Sequence, residues 1–333
     1  MSLNSLMRSE HSWVMQFMHR HFSQIDSLAA TLAKPPVETV ISPSAKDLTY
    51  PWQLVATAQG YRLRYCFDVV PAERLQVQSG VNLDTIVYAL TRDPEGIDQA
   101  SDFFQEYERI AFVWSQVFAP YVASLLDECG PHRGPLAPEP ERRIDQVTYI
   151  LAYWEEIRRQ GVIPDPIRRA SHALDPLGTL LSSVPDSVLD DLQALANRLW
   201  SVRLWWPPTE SFVIHPELDV YGRLGGARAD LIWNETLWDF DASLDPARDL
   251  RTGLSRILAK LLLAEDYRPA VSEVAIYWSR FGWAHRWGVN ELLAHSASPD
   301  HHYSLPEWRA LFLASAHARA GSASNPSDDY DVR

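Results

Sequence analysis

Two aspartates, Asp230 and Asp239, lie in consecutive short segments rich in β-forming residues, with a predicted turn at Asn234-Glu235 between them. If the two segments form a hairpin, their carboxylates come close enough to share a divalent cation. Carboxylate oxygens are the ligands that Mg²⁺ prefers in proteins. A metal held in this way activates water and stabilises the charge that develops on a phosphate. The spacing therefore predicts a candidate site for phosphodiester hydrolysis.

The residues around this pair resemble the signature of the PD-(D/E)XK nuclease superfamily, in which one acid ends a strand and (D/E)-X-K follows on the next. Asp230 matches the first acid and Asp239 the second, but Asp241 stands where the lysine is expected. That lysine orients the nucleophilic water in the family and stabilises the developing anion. The resemblance implies a Mg²⁺ or Mn²⁺ site formed by Asp230, Asp239 and Asp241. It also implies a nuclease activity that is absent or weak.

The helix predicted after this pair departs from the family pattern as well. Related proteins often have Q-L-x-x-Y here, where this chain has Arg256 at the first position and Lys260 at the last. Some members of the superfamily carry the catalytic lysine on this helix, so Lys260 is a candidate migrated lysine beside Asp230 and Asp239. Arg256 is a candidate anion contact, since residues at i and i+4 share one helix face. A solvated helix face is the alternative for both side chains.

Candidate contacts to nucleic acid are arginines, because the guanidinium group binds phosphate and stacks on bases. We select Arg228, Arg256, Arg62 and Arg64. Intramolecular salt bridges are the alternative, since the chain has 43 acidic residues. A net charge of -13 argues against tight non-specific binding to DNA and is compatible with an acidic surface that docks a basic protein. Most of the 13 tryptophans are expected in the core, and a few could form a stacking surface.

Other kinds of chemistry lack sequence support. Cys66 and Cys129 have no zinc-ligand spacing, no Walker-type GK[ST] follows the glycines near residue 225, and no serine has a nucleophile-elbow pattern. The sequence shows no apolar run of about 18 residues and no signal-peptide pattern at its start. We therefore expect a cytoplasmic protein that does not associate with membranes.

The elements that must position the candidate site fall into three parts. Residues 1–140 are predicted to form a helical region that ends in the proline-rich linker at 130–140. Residues 141–320 are predicted to form the nuclease-like domain, and the polar residues 321–333 a disordered tail. Helices in the first part are predicted over residues 8–32, after Pro51, and over 82–92 and 99–126.

After residue 187 the periodicity predicts a helix, three strands, a helix and a strand, followed by an edge strand and a last helix over 306–320. The fold class is therefore α/β (α+β). The family resemblance implies a restriction-endonuclease-like core with a small mixed central sheet flanked by helices. The segments 60–67, 149–161, 190–199 and 214–293 also resemble a family of uncharacterised bacterial proteins with a helical N-terminal half and no established activity.

Three functions are compatible with this pattern. The first is a degenerate nuclease-fold protein that acts as a nucleic-acid-binding or scaffolding subunit, in bacterial defence or DNA repair, with a protein partner. The second is an active metal-dependent DNA nuclease that uses Asp230, Asp239 and Lys260. The third is a protein-interaction module without a nucleic-acid role.

Overall fold

The computed structural model describes residues 3–7, 9–32, 40–43, 50–65, 83–91, 100–130, 135–202, 212–218, 227–264 and 270–323. Residues 321–323 of the tail predicted to be disordered at 321–333 are helical, so this part of the prediction is wrong. The rest of that tail, residues 131–134 of the predicted linker, and Cys66 lie outside the described part of the chain. The chain divides into two compact units. The first comprises Met1–Val37, Pro208–Trp278 and Trp283–Arg333, and the second Glu38–Pro207 and Ser279–Gly282.

The first unit begins with three short helices, where the apolar periodicity predicts one helix over residues 8–32. They are α1 (Leu3–Met7), α2 (Trp13–His21) and α3 (Ile25–Thr31). Ser12 caps α2 by accepting a hydrogen bond from the Met15 amide. The break after α2 is held by a distant segment, because the Ser298 amide donates to the His21 carbonyl and the Gln24 amide donates to the Ser296 carbonyl. These long-range bonds divide the predicted helix.

The second unit is a helical bundle. Its helices are α4 (Trp52–Tyr65), α5 (Leu83–Thr91), α6 (Ala100–Phe112), α7 (Ala119–Cys129), α8 (Pro138–Gln160), α9 (Asp165–Ser171), α10 (Pro176–Ser182) and α11 (Asp186–Ser201). The predicted boundary at residue 140 falls inside this unit, because α8 packs against α4 and its residues Ile144, Ile150 and Trp154 are fully buried in the bundle core. Gly161, in the left-handed conformation, ends α8.

A π-helical segment, Val113–Phe118, joins α6 to α7. Its wider turn is seen in the hydrogen bond from the Ala119 amide to the Trp114 carbonyl. Pro120 explains the widening, because it has no N–H to donate within a helix. In the described part of the chain, the stretch Asp102–Cys129 is the one helix long and apolar enough to cross a membrane by length and composition. Some of its apolar side chains, among them Val113, Trp114 and Phe118, are buried in the bundle core.

The first unit continues as a five-stranded mixed sheet with strand order β1-β2-β3-β4-β5. The strands are β1 (Phe212–Ile214), β2 (Leu231–Trp233), β3 (Thr236–Asp241), β4 (Glu273–Trp278) and β5 (Trp283–Gly288). Only β3 and β4 are parallel, and α12 (Pro246–Leu263) connects them. A parallel pair needs such a crossover, whereas an antiparallel pair closes with a short turn. Two more helices, α13 (Val289–Ser296) and α14 (Leu305–Ala323), follow β5.

The predicted mixed α/β class and the predicted order of elements, from α11 through three strands and α12 to β4, are confirmed. The predicted turn between β2 and β3 is confirmed as well. Asn234 and Glu235 both have positive φ, at 48° and 63°, and Trp233 pairs directly with Thr236. Positive φ at both central residues defines the type I′ turn, whose twist matches the flanking strands. This short hairpin fixes the register on which the candidate site depends.

Candidate functional site

The hairpin brings the two candidate acids to the same end of β3. Leu231 pairs with Trp238, so Asp230 stands one position beyond that pair, opposite Asp239. The Phe240 amide donates a 2.9 Å hydrogen bond to Asp230 Oδ2, which holds this carboxylate against β3. The antiparallel register therefore places Asp230 and Asp239 as neighbours on adjacent chain segments.

Asp239 and Asp241 lie on the face of the sheet that α12 covers. Residues at i and i+2 in a strand point to the same face, so these two aspartates share one. Ile276 pairs with Asp239 across the parallel ladder and belongs to the same face. A Cβ atom built on Gly253 of α12 would lie 3.3 Å from Ile276 Cδ1, so the helix passes directly over this face. The absence of a side chain at Gly253 permits that close approach.

Two cations from α12 bind the aspartates of β3. Lys260 Nζ lies 2.5 Å from Asp239 Oδ1, and Arg256 Nε lies 2.5 Å from Asp239 Oδ2. Arg256 Nη2 also lies 3.4 Å from Asp241 Oδ2. Arg256 and Lys260 are four residues apart and share one helix face, as predicted. We call these four residues, together with Asp230, the ion-pair cluster.

Burial makes the charges of the ion-pair cluster depend on one another more than those of a surface network do. Asp239 is 1% exposed and Lys260 is 4% exposed, whereas the Arg256 side chain keeps about a quarter of its surface accessible. Burial alone would lower the pKa of the Arg256 guanidinium, but the charge of Asp239, then that of Asp241, outweighs it and raises the pKa. The charge of Asp230 acts in the same direction. Arg256 is therefore a permanent cation at the accessible edge of the cluster.

The carboxylates of the cluster are already engaged by donors. Asp239 has a cation at each oxygen, Asp230 accepts the Phe240 amide, and Asp241 Oδ1 accepts the Ser243 amide at 2.7 Å. Across the described ranges, no group of three or more His, Cys, Asp or Glu side chains is placed to hold a metal ion. Lys260 and Arg256 occupy both oxygens of Asp239, the central one of the predicted ligands Asp230, Asp239 and Asp241.

The other predicted nucleic-acid contacts are placed differently. Arg62 on α4 is fully buried, where it pairs with Glu141 of α8 and its Nε lies 3.3 Å from Asp145 Oδ1. Its burial between two packed helices removes it from the surface available to a phosphate. Arg228 Nε lies 2.7 Å from Glu217 Oε2 across an isolated β-bridge. Arg64 is also on α4, and its side chain is outside the described part of the structure.

A row of aromatic rings on β4 and β5 adjoins the ion-pair cluster. It consists of Trp278, Trp283, His285 and Trp287, with neighbouring ring centroids 4.6, 5.8 and 4.3 Å apart in that order. We call it the aromatic row. Composition predicts mainly core positions for the three tryptophans, and His285 has no role predicted from the sequence. The sequence feature that could have indicated the row is the alternation in Trp283-Ala284-His285-Arg286-Trp287, which places three rings on one face of an edge strand.

Comparison of the chain with models of protein families, with curated proteins and with solved structures finds no significant match.

Proposed function

We propose that the chain is a nuclease-fold protein that binds nucleic acid, as a binding or scaffolding subunit, without cutting it. The observation that carries this proposal is the ion-pair cluster. Asp239, which stands where the family has its second metal-binding acid, is neutralised by Lys260 and Arg256. Asp241 supplies a carboxylate where the family has a lysine. The cluster retains the acids of a hydrolytic site in a form suited to stability more than to catalysis.

The arrangement of elements supports the same proposal. A hairpin presents two acids at one strand end, and a crossover helix covers that face of the sheet. The order of helix, three strands, helix and strand is the one that the periodicity predicts, and a small mixed sheet flanked by helices is compatible with the core that the resemblance implies. Arg256 supplies an accessible, permanently charged guanidinium at the edge of the cluster, where it can contact a phosphate.

Filter binding to single-stranded and double-stranded DNA at several salt concentrations tests the binding part of the proposal. We expect affinity to fall as salt rises, because each phosphate contact releases counterions. Arg256→Gln should weaken binding. Arg251→Gln is the matched control, since Arg251 lies on the same helix and pairs with Asp26 at 3.1 Å. Binding that is absent or insensitive to salt would overturn the proposal.

An active nuclease is the second candidate, and one observation favours it. Lys260 reaches Asp239 from α12, which is the position that the migrated-lysine hypothesis requires. Incubation of the protein with plasmid and Mg²⁺ or Mn²⁺ separates the two candidates. Cleavage that disappears in both Asp230→Ala and Lys260→Met would establish the nuclease. Absence of cleavage in a preparation that still binds DNA supports the non-cutting protein.

A protein-interaction role rests on the exposed aromatic residues of the second unit. Phe104 and Phe112 on α6 are 63% and 54% exposed. Large exposed aromatic side chains are enriched where protein partners bind. A pull-down with and without nuclease treatment distinguishes this role, since a partner bound through nucleic acid is lost after digestion.

A further inference from the structure

The aromatic row lies on the same face of the sheet as the ion-pair cluster. Asp241 pairs with Trp278 across the parallel ladder, and Trp278 pairs with Trp283 across the antiparallel one. Two residues away along the strands, Asp239 pairs with Ile276 of β4, and Ile276 pairs with His285 of β5. Directly paired residues in a sheet point to the same face. The carboxylates and the rings therefore lie on one face of the sheet across three strands, and α12 covers the part of it around Asp239 and Ile276.

Two rings of the row are buried and two are accessible. Trp278 and Trp287 are 1% and 3% exposed and support the row, whereas Trp283 and His285 are only partly buried. Trp283 stacks on Trp278, with 28° between the ring planes. Since β5 is the last strand of the described sheet, no strand covers its outer side there. The rigid inner rings thus hold the outer two in fixed orientations.

The row offers ring faces to a planar ligand, and the ion-pair cluster beside it carries two cations, Arg256 and Lys260, among its three carboxylates. Burial lowers the pKa of His285, and the opposing effect of the Glu291 charge is weaker. The imidazole is therefore neutral at pH 7, and its ring stacks without a charge. Arg256 is accessible on the same face, where it offers a guanidinium to a phosphate.

We infer that Trp283 and His285 form a stacking surface for unpaired bases of single-stranded nucleic acid, whose backbone contacts Arg256. This inference rests on the proposed nucleic-acid-binding function and specifies its substrate class. Aromatic rings stack with any base, so the surface selects unpaired strands more than sequence. A base in a duplex already stacks on its neighbours and is not available to the row.

Fluorescence anisotropy with a labelled single strand of about 15 nucleotides, and with the matching duplex, tests the inference. We expect Trp283→Ala to weaken single-strand binding by roughly 5- to 150-fold, the range measured for loss of one stacked base. Trp283→Phe should retain most of the affinity. Phe104→Ala is the matched control, because it removes an exposed aromatic ring from α6 in the other unit. His285→Leu, which keeps volume but not the aromatic face, should weaken binding less than Trp283→Ala.

The outcomes distinguish this inference from the function on which it rests. Single-strand binding that is unchanged in Trp283→Ala overturns the stacking surface and leaves nucleic-acid binding standing. Equal loss for single strand and duplex, without recovery in Trp283→Phe, indicates a structural role and also overturns it. Absence of binding to either ligand by the unmodified protein overturns the proposed function together with the inference. Thermal melting of each variant reports whether the fold is retained.

Discussion

Lys260 Nζ contacts Asp239 Oδ1 at 2.5 Å, although the two residues come from different layers of the fold and are almost completely buried. Removing two charges from water costs several kcal/mol per ion, and their mutual attraction offsets that cost only with good geometry. Arg256 binds the second oxygen of Asp239, so each oxygen of this carboxylate has a cationic partner. The stability of the sheet-and-helix layer therefore depends on Asp239 more than on either cation alone.

Asp239→Ala should lower the free energy of unfolding by about 3–5 kcal/mol, because it leaves the buried Lys260 ammonium without its counter-charge. Lys260→Met should cost less, since Asp239 then keeps Arg256. The double variant Asp239→Ala with Lys260→Met should recover part of the loss, because it removes both charges. Urea denaturation of the four proteins measures these differences. Strictly additive single effects would show that the pair is not coupled.

A second buried ion pair, in the helical unit, predicts a comparable loss in the free energy of unfolding when it is broken. Arg280 binds Asp191 through two hydrogen bonds of 2.8 and 2.7 Å, and both side chains are fully buried. The Tyr50 hydroxyl donates a 2.6 Å hydrogen bond to the same carboxylate, and burial raises the pKa of Tyr50, so it remains a donor. Asp191→Asn should cost about 3–5 kcal/mol. Tyr50→Phe should cost about 1.5–3 kcal/mol, the value for a bond to a charged group.

Chemical denaturation of Asp191→Asn and Tyr50→Phe shows whether the ion pair or the hydroxyl hydrogen bond contributes more to the free energy of unfolding. Asp191→Asn should lower the free energy of unfolding more than Tyr50→Phe does. The reason is that losing the carboxylate charge leaves the buried guanidinium of Arg280 without a counter-charge. A Tyr50→Phe effect as large as that of Asp191→Asn would contradict this order. Arg142→Gln provides a surface control, since its partner Asp186 is largely exposed and exposed pairs contribute at most about 1 kcal/mol.

Asp145 predicts a pH dependence of stability in the same unit. Burial raises its pKa from 3.8 to about 7, and Glu141 adds to this, whereas Arg62 and Arg142 oppose it. Between these pH values the folded state holds a proton that the unfolded state has released, so stability falls as pH rises. Asp145→Asn removes the titration. The free energy of unfolding of the wild type, relative to this variant, should therefore be lower at pH about 8 than at pH about 5.

Urea midpoints of the wild type and Asp145→Asn at the two pH values give this difference directly. Other groups titrate in both proteins and cancel in the comparison. A wild type that gains stability relative to the variant on alkalinisation would show that Arg62 dominates over burial.

Local features of the fold were accessible from the sequence, and features that depend on distant contacts were not. The turn residues Asn234 and Glu235, with alternation in the flanking segments, predicted the hairpin. The spacing of Arg256 and Lys260 predicted a shared helix face, but not that this face meets Asp239. That contact requires the direction of the crossover between β3 and β4, which periodicity does not encode.

The burial of Arg62 shows the same limit. Helical periodicity placed it on α4 beside apolar neighbours, whereas its partners Glu141 and Asp145 are about 80 residues further along the chain. A charged residue is rarely buried without a partner, and a single sequence does not show which acid supplies one. The assignment of residues 1–37 to the sheet-containing unit likewise depends on contacts far apart in sequence.

The close approach of α12 to the sheet predicts an unfavourable effect of adding one methyl group. Gly253 is buried in the middle of the helix, where alanine usually stabilises by about 0.5–1 kcal/mol relative to glycine. Here the added Cβ would lie 3.3 Å from Cδ1 of Ile276, a fully buried residue of β4. Ile276 has little room to retreat in a packed interior. We therefore expect Gly253→Ala to be neutral or destabilising, by up to about 2 kcal/mol.

The reason for that loss is tested by shortening the opposing side chain. Ile276→Val removes the Cδ1 methyl and should cost about 0.5–1.5 kcal/mol alone. In the double variant, the methyl group added at position 253 occupies the released space, so the combined loss should be smaller than the sum of the single losses. Denaturation of the three variants gives this coupling energy. If Gly253→Ala alone raises stability, the helix moves away from the sheet at no cost, and the position of Lys260 and Arg256 over Asp239 is not held by this contact.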